Sequence, residues 1–238
     1  MAANPNSAYS ILCDGLRESG KVQRGSEPDS ELLADGMRRL NDMINLWQTQ
    51  GLKLWLQFDL PVPLVAGQNP YTIGPGGSVN MSKPLRVLDS CYYVDVNNIR
   101  RPLSPLLSRD DYARLSNPTQ QGPVNQLFCD KQQSQLIIWF WLVPDAQAAL
   151  GVAHLLIQQQ VTNFVNLTDD MNFPNEWRLA LVWGIADEMC SGQPASVQQR
   201  CGTKASLYFD ALNNWDVEDA ATVFQPDMRS TTNVGNFR

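Results

Sequence analysis

The sequence predicts an α+β fold in which helices from both ends of the chain form one bundle and an antiparallel β region is inserted between them. Apolar residues recur at helical spacing in residues 1–55 and 171–216, whereas residues 56–170 begin with a period of two and hold many short apolar runs between turn signals. This middle region is predicted to resemble a sandwich or small barrel. Residues 217–238 have no periodicity, and we expect an extended C-terminal arm there.

Two helices are predicted before residue 56. The first covers residues 7–19 and ends at a glycine. The second carries an apolar stripe in alternating steps of four and three residues, which is typical of a bundle: Leu33, Met37, Leu40, Ile44 and Trp47. Ser26 and Asp29 match a capping box ahead of this helix, and Gly51 is its predicted C-cap.

The β region is predicted because the spacing of apolar residues changes from the helical period to a period of two at residue 56. Residues 56–64 alternate apolar side chains with polar ones and prolines, which indicates a strand at a sheet edge. Residues 136–143 are apolar on both faces, so we expect a central strand, and residues 151–161 are expected to form another. Residues 108–115 predict a short capped helix between strands.

The segment 172–190 reads as a helix with almost no polar face. One stripe comprises Trp177, Leu181, Gly184 and Ile185, and the opposite one comprises Leu179, Trp183, Ala186 and Cys190. A helix apolar all round lies in a large core or against neighbouring subunits, so the second stripe is expected to meet another element or subunit.

A last helix, after Pro194, is predicted to add one more bundle stripe. Its members are Val197, Cys201, Ala205, Tyr208, Leu212 and Trp215. From these stripes we predict that Trp47, Trp177, Trp183 and Trp215 lie at bundle or subunit interfaces.

Composition excludes several classes of protein. Hydrophobic residues make up 43% of the 238 residues and charged ones 18%, which suggests that partners cover part of the surface. A net charge of −6 argues against a protein that grips nucleic acid. Five cysteines without a CxxC pair favour reduced thiols. No apolar run approaches the ~20 residues that span a bilayer, and we expect no membrane association.

The candidates for catalysis are few. His154 is the only histidine and lies in an apolar strand pattern, where a structural role is the simpler interpretation. Asp169 with Asp170, or Glu176 with Glu188, could serve a glycoside hydrolase, but loop and helix-cap acids explain them more simply. We therefore expect no catalytic residue, no metal ion and no cofactor.

Four motifs, in order along most of the chain, resemble the head-to-tail adaptor proteins of short-tailed phages, also described as tail accessory factors or packaged-DNA-stabilisation proteins. They are "LRESGKVQRGSEPDSELLADGMRRLNDMINLWQTQGLKLW" at 16–55, "YTIGPGG" at 71–77, "FPNEWRLAL" at 173–181 and "VFQPDMR" at 223–229. The resemblance implies a structural virion protein in the neck, assembled in the host cytoplasm.

The same resemblance implies the partners. Such proteins form a dodecameric ring beneath the portal protein, extend the DNA channel, retain packaged DNA and offer a docking surface to the tail tube or nozzle protein. Double-stranded DNA passes through the lumen without sequence-specific binding. The residues carried over to portal binding are those of the arm: Phe224, Gln225, Pro226, Asp227, Met228 and Arg229.

Two other functions remain open from the sequence. A tail-associated peptidoglycan hydrolase would need an acid and a nucleophile or base converging in one cleft. A neck or tail-tube component outside the adaptor family would dock its ring onto the tail and not onto the portal.

Overall fold

The computed structural model describes residues 4–50, 54–104 and 106–215, and these have the predicted α+β fold. The α-helices are α1 Ala8–Glu18, α2 Ser30–Trp47, α3 Arg109–Ala113, α4 Arg178–Met189 and α5 Ala195–Trp215. The strands are β1 Gln57–Pro63, β2 Tyr71–Ile73, β3 Arg86–Val87, β4 Tyr92–Val94, β5 Arg100–Pro102, β6 Leu106–Leu107, β7 Gln121–Gly122, β8 Gln126–Lys131, β9 Leu136–Trp141, β10 Val143–Pro144 and β11 Val152–Gln158. Short 3-10 turns occupy Leu54–Leu56, Ala148–Leu150 and Asn175–Trp177. The predicted arm, 217–238, lies outside the described residues.

The start of α2 differs from the predicted capping box. Asp29 is the N-cap, and its carboxylate accepts the Leu32 N–H at 2.7 Å. Ser26 does not cap the helix, because α2 begins only after Asp29, and the Ser26 N–H donates instead to the Gln23 carbonyl. The helix ends at Trp47 with Gln48 as its C-cap, and the predicted C-cap Gly51 lies outside the described residues.

The helix α4 is the centre of the bundle. Every residue from Ala180 to Ala186 is buried, as its lack of a polar face predicts. One side packs on α1 and α2 through Leu181, Val182 and Ile185. The other side packs on α5, where Trp183 and Ala186 of α4, together with the C-cap residue Cys190, surround Cys201. The second stripe of α4 is therefore covered by α5 of the same chain, apart from Leu179, which is 45% exposed.

The strands form two main sheets with a shared core. One has the order β1-β11-β4-β5, with β3 also paired to β11, and the other has the order β2-β9-β8-β6. Most pairs are antiparallel, whereas β6–β8 and β7–β10 are parallel. Buried residues of both sheets, including Val62, Ile138, Phe140 and Leu155, belong to one apolar cluster between them. As predicted, β1 is an edge strand and β9 and β11 are interior strands.

The strand β9 differs from prediction on one face. Leu136, Ile138 and Phe140 are buried, whereas the alternate residues Ile137, Trp139 and Trp141 are only partly buried. The short helix α3 covers this second face incompletely, through Tyr112, whose ring lies 5.7 Å from that of Trp139. α3 itself begins with the predicted capping box of Ser108 and Asp111.

Side-chain amides of α2 hold the chain where it returns from the β region to the bundle. Gln48 accepts the Val161 N–H at 3.0 Å, and Asn41 both accepts from the Phe164 N–H and donates to its carbonyl, each at 2.9 Å. These bonds satisfy backbone groups that have no strand partner. They fix the exit of β11 relative to α2.

The close packing of α1 on α4 depends on Gly15. A Cβ at this position would lie 2.6 Å from the Ile185 Cγ2 and 3.0 Å from the Val182 carbonyl oxygen. We expect Gly15→Ala to lower the free energy of unfolding by roughly 1–2 kcal/mol, because overpacking costs about 1–3 kcal/mol and the better helix propensity of alanine returns at most about 1 kcal/mol. Urea unfolding measures the change.

The matched control is Gly202→Ala in α5, where the nearest atom to the added Cβ is the Asp187 Oδ1 at 3.3 Å. That variant should be as stable as the parent or gain up to about 1 kcal/mol. Equal stability of the Gly15 and Gly202 variants would contradict the close α1–α4 contact.

Candidate functional site

Two of the four tryptophans predicted at interfaces meet inside the bundle. The Trp47 ring lies 6.2 Å from that of Trp177 and 4.8 Å from that of Phe209 on α5. Phe209 also stands edge-on to Trp177 at 6.3 Å. Tilted and edge-on aromatic pairs add about 0.5–1.5 kcal/mol each to the burial of their area. This cluster ties α2, the start of α4 and the middle of α5 together.

The third tryptophan, Trp183 of α4, contacts α5 between Arg200 and Tyr208. It is buried, and its ring lies 6.4 Å from that of Tyr208. The Lys204 Nζ lies 4.1 Å from the centre of the Trp183 ring, and the Arg200 guanidinium 5.9 Å from it. Both distances suit cation–π attraction, and the cations keep contact with water.

The fourth tryptophan is not part of the bundle, although the predicted stripe included it. Trp215 is 81% exposed. The reason is the length of α5: Phe209 already packs on Trp177 at the start of α4, and Trp215 lies six residues further, about 9 Å along the helix axis. Leu207, at 60%, is a second exposed apolar residue of α5.

Sequence reasoning missed an apolar stripe on the solvent side of α5. Leu207, Ala211 and Trp215 are spaced by four residues, and all three are exposed. The spacing itself was a usable signal, because residues at i, i+4 and i+8 share one helix face. The predicted bundle stripe through Tyr208 and Leu212 runs beside this exposed stripe, and Trp215 was assigned to the bundle stripe for that reason.

A groove between α1 and α4 is a second surface that the sequence did not predict. It has a volume of about 560 Å³ and an apolar wall of Leu179, Val182 and Trp183. Its charged rim consists of Asp14, Arg17, Glu18, Arg24 and Arg178. Arg178 donates to Asp14 at 2.5 Å, whereas the Nε of Arg17 is buried and has no hydrogen-bond partner among the described residues.

His154 belongs to a ladder of side chains across the solvent face of one sheet. Its Nδ1 lies 3.0 Å from the Asp59 carboxylate on β1, and its ring stacks on Tyr92 of β4 at 4.7 Å. Arg100 of β5 lies 4.7 Å from the same tyrosine ring. Asp59 accepts the Tyr92 hydroxyl proton at 2.7 Å, which raises the pKa of Tyr92 above its ordinary value. Each group in the ladder thus has a structural partner on a neighbouring strand.

The carboxylates considered for catalysis do not form a catalytic pair. Glu176 and Glu188 are twelve residues apart along a nearly continuous helix, about 18 Å, whereas paired glycosidase carboxylates lie about 5–9.5 Å apart. Glu188 lies 3.6 Å from Arg39. Asp170 accepts from the Asn4 side chain.

Asp169 is held as a carboxylate by the backbone. It accepts the N–H groups of Asn166 and Val165 at 2.7 and 2.8 Å, and these bonds lower the pKa of Asp169. A carboxyl group of this kind is a poor general acid. Its own carbonyl accepts the Ala8 N–H at 2.9 Å, so the Asp169 turn holds the start of α1.

The five cysteines are unpaired thiols. Burial raises the pKa of Cys91 and of Cys129 to about 11, which leaves little thiolate for nucleophilic attack at neutral pH. Within the described ranges, no group of three or more His, Cys, Asp and Glu residues is arranged to hold a metal ion. No helix in the same ranges is long and apolar enough to cross a membrane.

Neither a protein-family model nor a curated protein matches the chain. The portal-binding residues expected at 223–229 lie outside the described part of the chain. The candidate functional surfaces are therefore the exposed end of α5 and the groove between α1 and α4.

The backbone bonds of Asp169 predict a pH dependence. Because the pKa of Asp169 is lowered in the folded state, the stability it contributes is present above its unfolded pKa of about 3.9 and is lost as pH falls through the lower folded value. We expect Asp169→Asn to lower stability at neutral pH, with the difference from the parent vanishing in acid. Urea unfolding between neutral pH and acid tests this.

The control for that measurement is Asp210→Asn on the exposed face of α5, which makes the same change in net charge. A deficit of the Asp169 variant that stayed constant down to the lowest pH would show that the carboxylate charge is not what holds the turn.

Proposed function

We propose that the chain is a structural virion protein, a head-to-tail adaptor that forms a dodecameric ring beneath the portal of a short-tailed phage. The observation that carries this proposal is the end of α5: it projects beyond the bundle with Leu207 and Trp215 exposed, and it leads directly into the segment that resembles the portal-binding arm. Exposed apolar residues at a projecting end suit assembly with other subunits. The ordered resemblance of the four sequence motifs supports the same function.

Within this proposal, the arm engages the portal. Phe224, Pro226 and Met228 provide a compact apolar anchor, with Asp227 and Arg229 as polar neighbours. The bundle and the β region supply the body of the ring, to which the tail tube or nozzle protein docks.

The charge of the chain suits a channel for DNA. A lumen wall that shares the net charge of −6 of the chain would have the same sign as DNA phosphate, and the duplex would slide past it without being held by counterion release. No sequence-specific contact to DNA is needed for retention or ejection. A ring in the virion neck would in this way extend the channel and keep the packaged DNA from leaking.

We further propose that the protein is not an enzyme. The partners of His154, Asp169 and Glu188 give each a structural role, and the separation of Glu176 from Glu188 does not suit a glycoside hydrolase. The peptidoglycan hydrolase and the neck component outside the adaptor family remain the outcomes against which the proposal is tested.

Removal of residues 223–238 tests the role of the arm. We expect the truncated protein to keep its circular dichroism spectrum and melting temperature, since this segment lies beyond α5 in the sequence and has no core periodicity, and to lose binding to the portal protein. Co-sedimentation with assembled portal rings measures the binding.

The matched control removes residues 230–238 alone and keeps "VFQPDMR". It should bind portal like the full chain. Unchanged affinity after the longer truncation would show that the arm does not bind the portal, and binding to tail tubes instead of portal rings would favour the neck component.

A cell-wall assay tests the enzyme alternative. We expect purified protein to release no dye from labelled peptidoglycan, and Glu176→Gln to behave the same.

The other two candidate residues are expected to affect stability only. Glu188→Gln should lower the free energy of unfolding by at most about 1 kcal/mol, because its ion pair with Arg39 is half exposed. His154→Gln should cost about 1 kcal/mol through the lost bond to Asp59.

Dye release by the parent protein that disappears in Glu176→Gln, with an unchanged melting temperature of the variant, would favour the hydrolase over the adaptor.

A further inference from the structure

The projecting end of α5 has the features of an anchor without a socket among the described residues. Trp215 and Leu207 are 81% and 60% exposed and lie on one face with Ala211. Trp215 therefore fills no groove that the described part of the chain forms. A large aromatic residue on a rigid helix is the kind of side chain that dominates protein–protein interfaces.

The groove between α1 and α4 has the features of a socket. Its wall of Leu179, Val182 and Trp183 is apolar, and Leu179 is nearly half exposed. The groove is large enough, at about 560 Å³, to receive an indole side chain. The Nε of Arg17 beside it is buried and has no hydrogen-bond partner among the described residues.

The charges of anchor and socket are opposite. From residue 205 to residue 228 the sequence has no Lys, Arg or His but five acids: Asp210, Asp216, Glu218, Asp219 and Asp227. The rim of the groove has Arg17, Arg24 and Arg178, and Arg200 reaches the same end of α1 by donating to the Glu18 carbonyl at 2.7 Å. Asp14 bonds to Arg178 and also lies 3.5 Å from Arg17, and Glu18 lies 3.6 Å from Arg24. Three arginines thus face two carboxylates at this rim, and the remaining positive charge suits an acidic stretch of sequence.

We propose that the end of α5 docks into the α1–α4 groove of a second copy of this chain, with Trp215 against the apolar wall and the negative charge of this part of the sequence matched to the positive excess of the rim. Because the anchor and the socket are different surfaces, the contact is heterologous: the copy that donates its α5 end keeps a free groove, and the copy that receives it keeps a free α5 end. Repetition of such a contact builds a ring or a filament. Its closure as a ring rests on the proposed function, whereas the contact itself does not.

Site-directed crosslinking tests the contact. Ala211→Cys places a thiol on the anchor and leaves Trp215 in place, and Leu179→Cys places one in the socket. We expect a bismaleimide to join the two variants when they are mixed at high concentration, to join neither variant to itself, and to produce a ladder of oligomers from the double variant. The parent, with its five native cysteines, gives the background.

Two matched pairs of variants test the chemistry of the contact. Trp215→Ala, added to the Ala211→Cys partner, should lower the crosslinked fraction by roughly tenfold or more, as expected for an interface anchor. Leu150→Ala, at another exposed apolar residue, should leave it unchanged. Arg24→Glu, at a side chain that is 88% exposed, should also lower crosslinking, whereas Arg38→Glu, also an exposed arginine, should not.

Three outcomes would overturn the proposal. Crosslinking of either single variant to itself would show a two-fold contact, and a crosslinked monomer from the double variant would show that the groove is filled by its own chain. Crosslinking no stronger than that of Ala211→Cys with Leu150→Cys would show no contact.

If crosslinking fails while the arm truncation still abolishes portal binding, the self-contact is wrong and the adaptor proposal stands. A ladder from a protein that does not bind portal would leave the contact standing without the adaptor function.

Discussion

The burial of the middle of α4, from Ala180 to Ala186, is the constraint on which the rest of the helical structure depends. A helix with no polar face is stable in water only when other elements cover it on every side. α1 and α2 cover one side and α5 the other, so the cover comes from both ends of the chain. The β region can then only be an insertion between them. Glycines at the crossings, Gly15 against Ile185 and Gly184 against Met43, let the helices approach closely enough to exclude water.

The same constraint explains how the inserted region is attached. The chain must leave α2, form two packed sheets and return to the start of α4 at a fixed place. Amide side chains on α2 take up the backbone groups of the returning segment, through Gln48 with Val161 and Asn41 with Phe164. The turn closed by Asp169 then binds the start of α1. Polar bonds thus set the geometry that apolar burial makes stable, because hydrogen bonds are directional and the hydrophobic effect is not.

The sequence predicted the elements whose periodicity reflects burial in this chain alone. α2, α4, the edge strand β1 and the capped helix α3 all follow from spacing and capping residues. It was less accurate where two residues compete for one role, as Ser26 and Asp29 did for the cap of α2. It also failed where burial depends on how far a partner extends. The stripe on α5 predicts Trp215 in the bundle, but the neighbouring helix ends before it reaches that residue.

The mismatch in length between α4 and α5 connects the fold to the proposed assembly. α4 has 12 residues and α5 has 21, so the last turns of α5 have no partner helix among the described residues. The fold does not need apolar residues at such an end, because an exposed tryptophan or leucine contributes nothing to a core that it does not reach. Here the end carries Trp215 and Leu207 and leads into the acidic stretch after it. The proposed contact with a second copy would account for the sequence of this end, and the groove between α1 and α4 is the surface proposed to receive it.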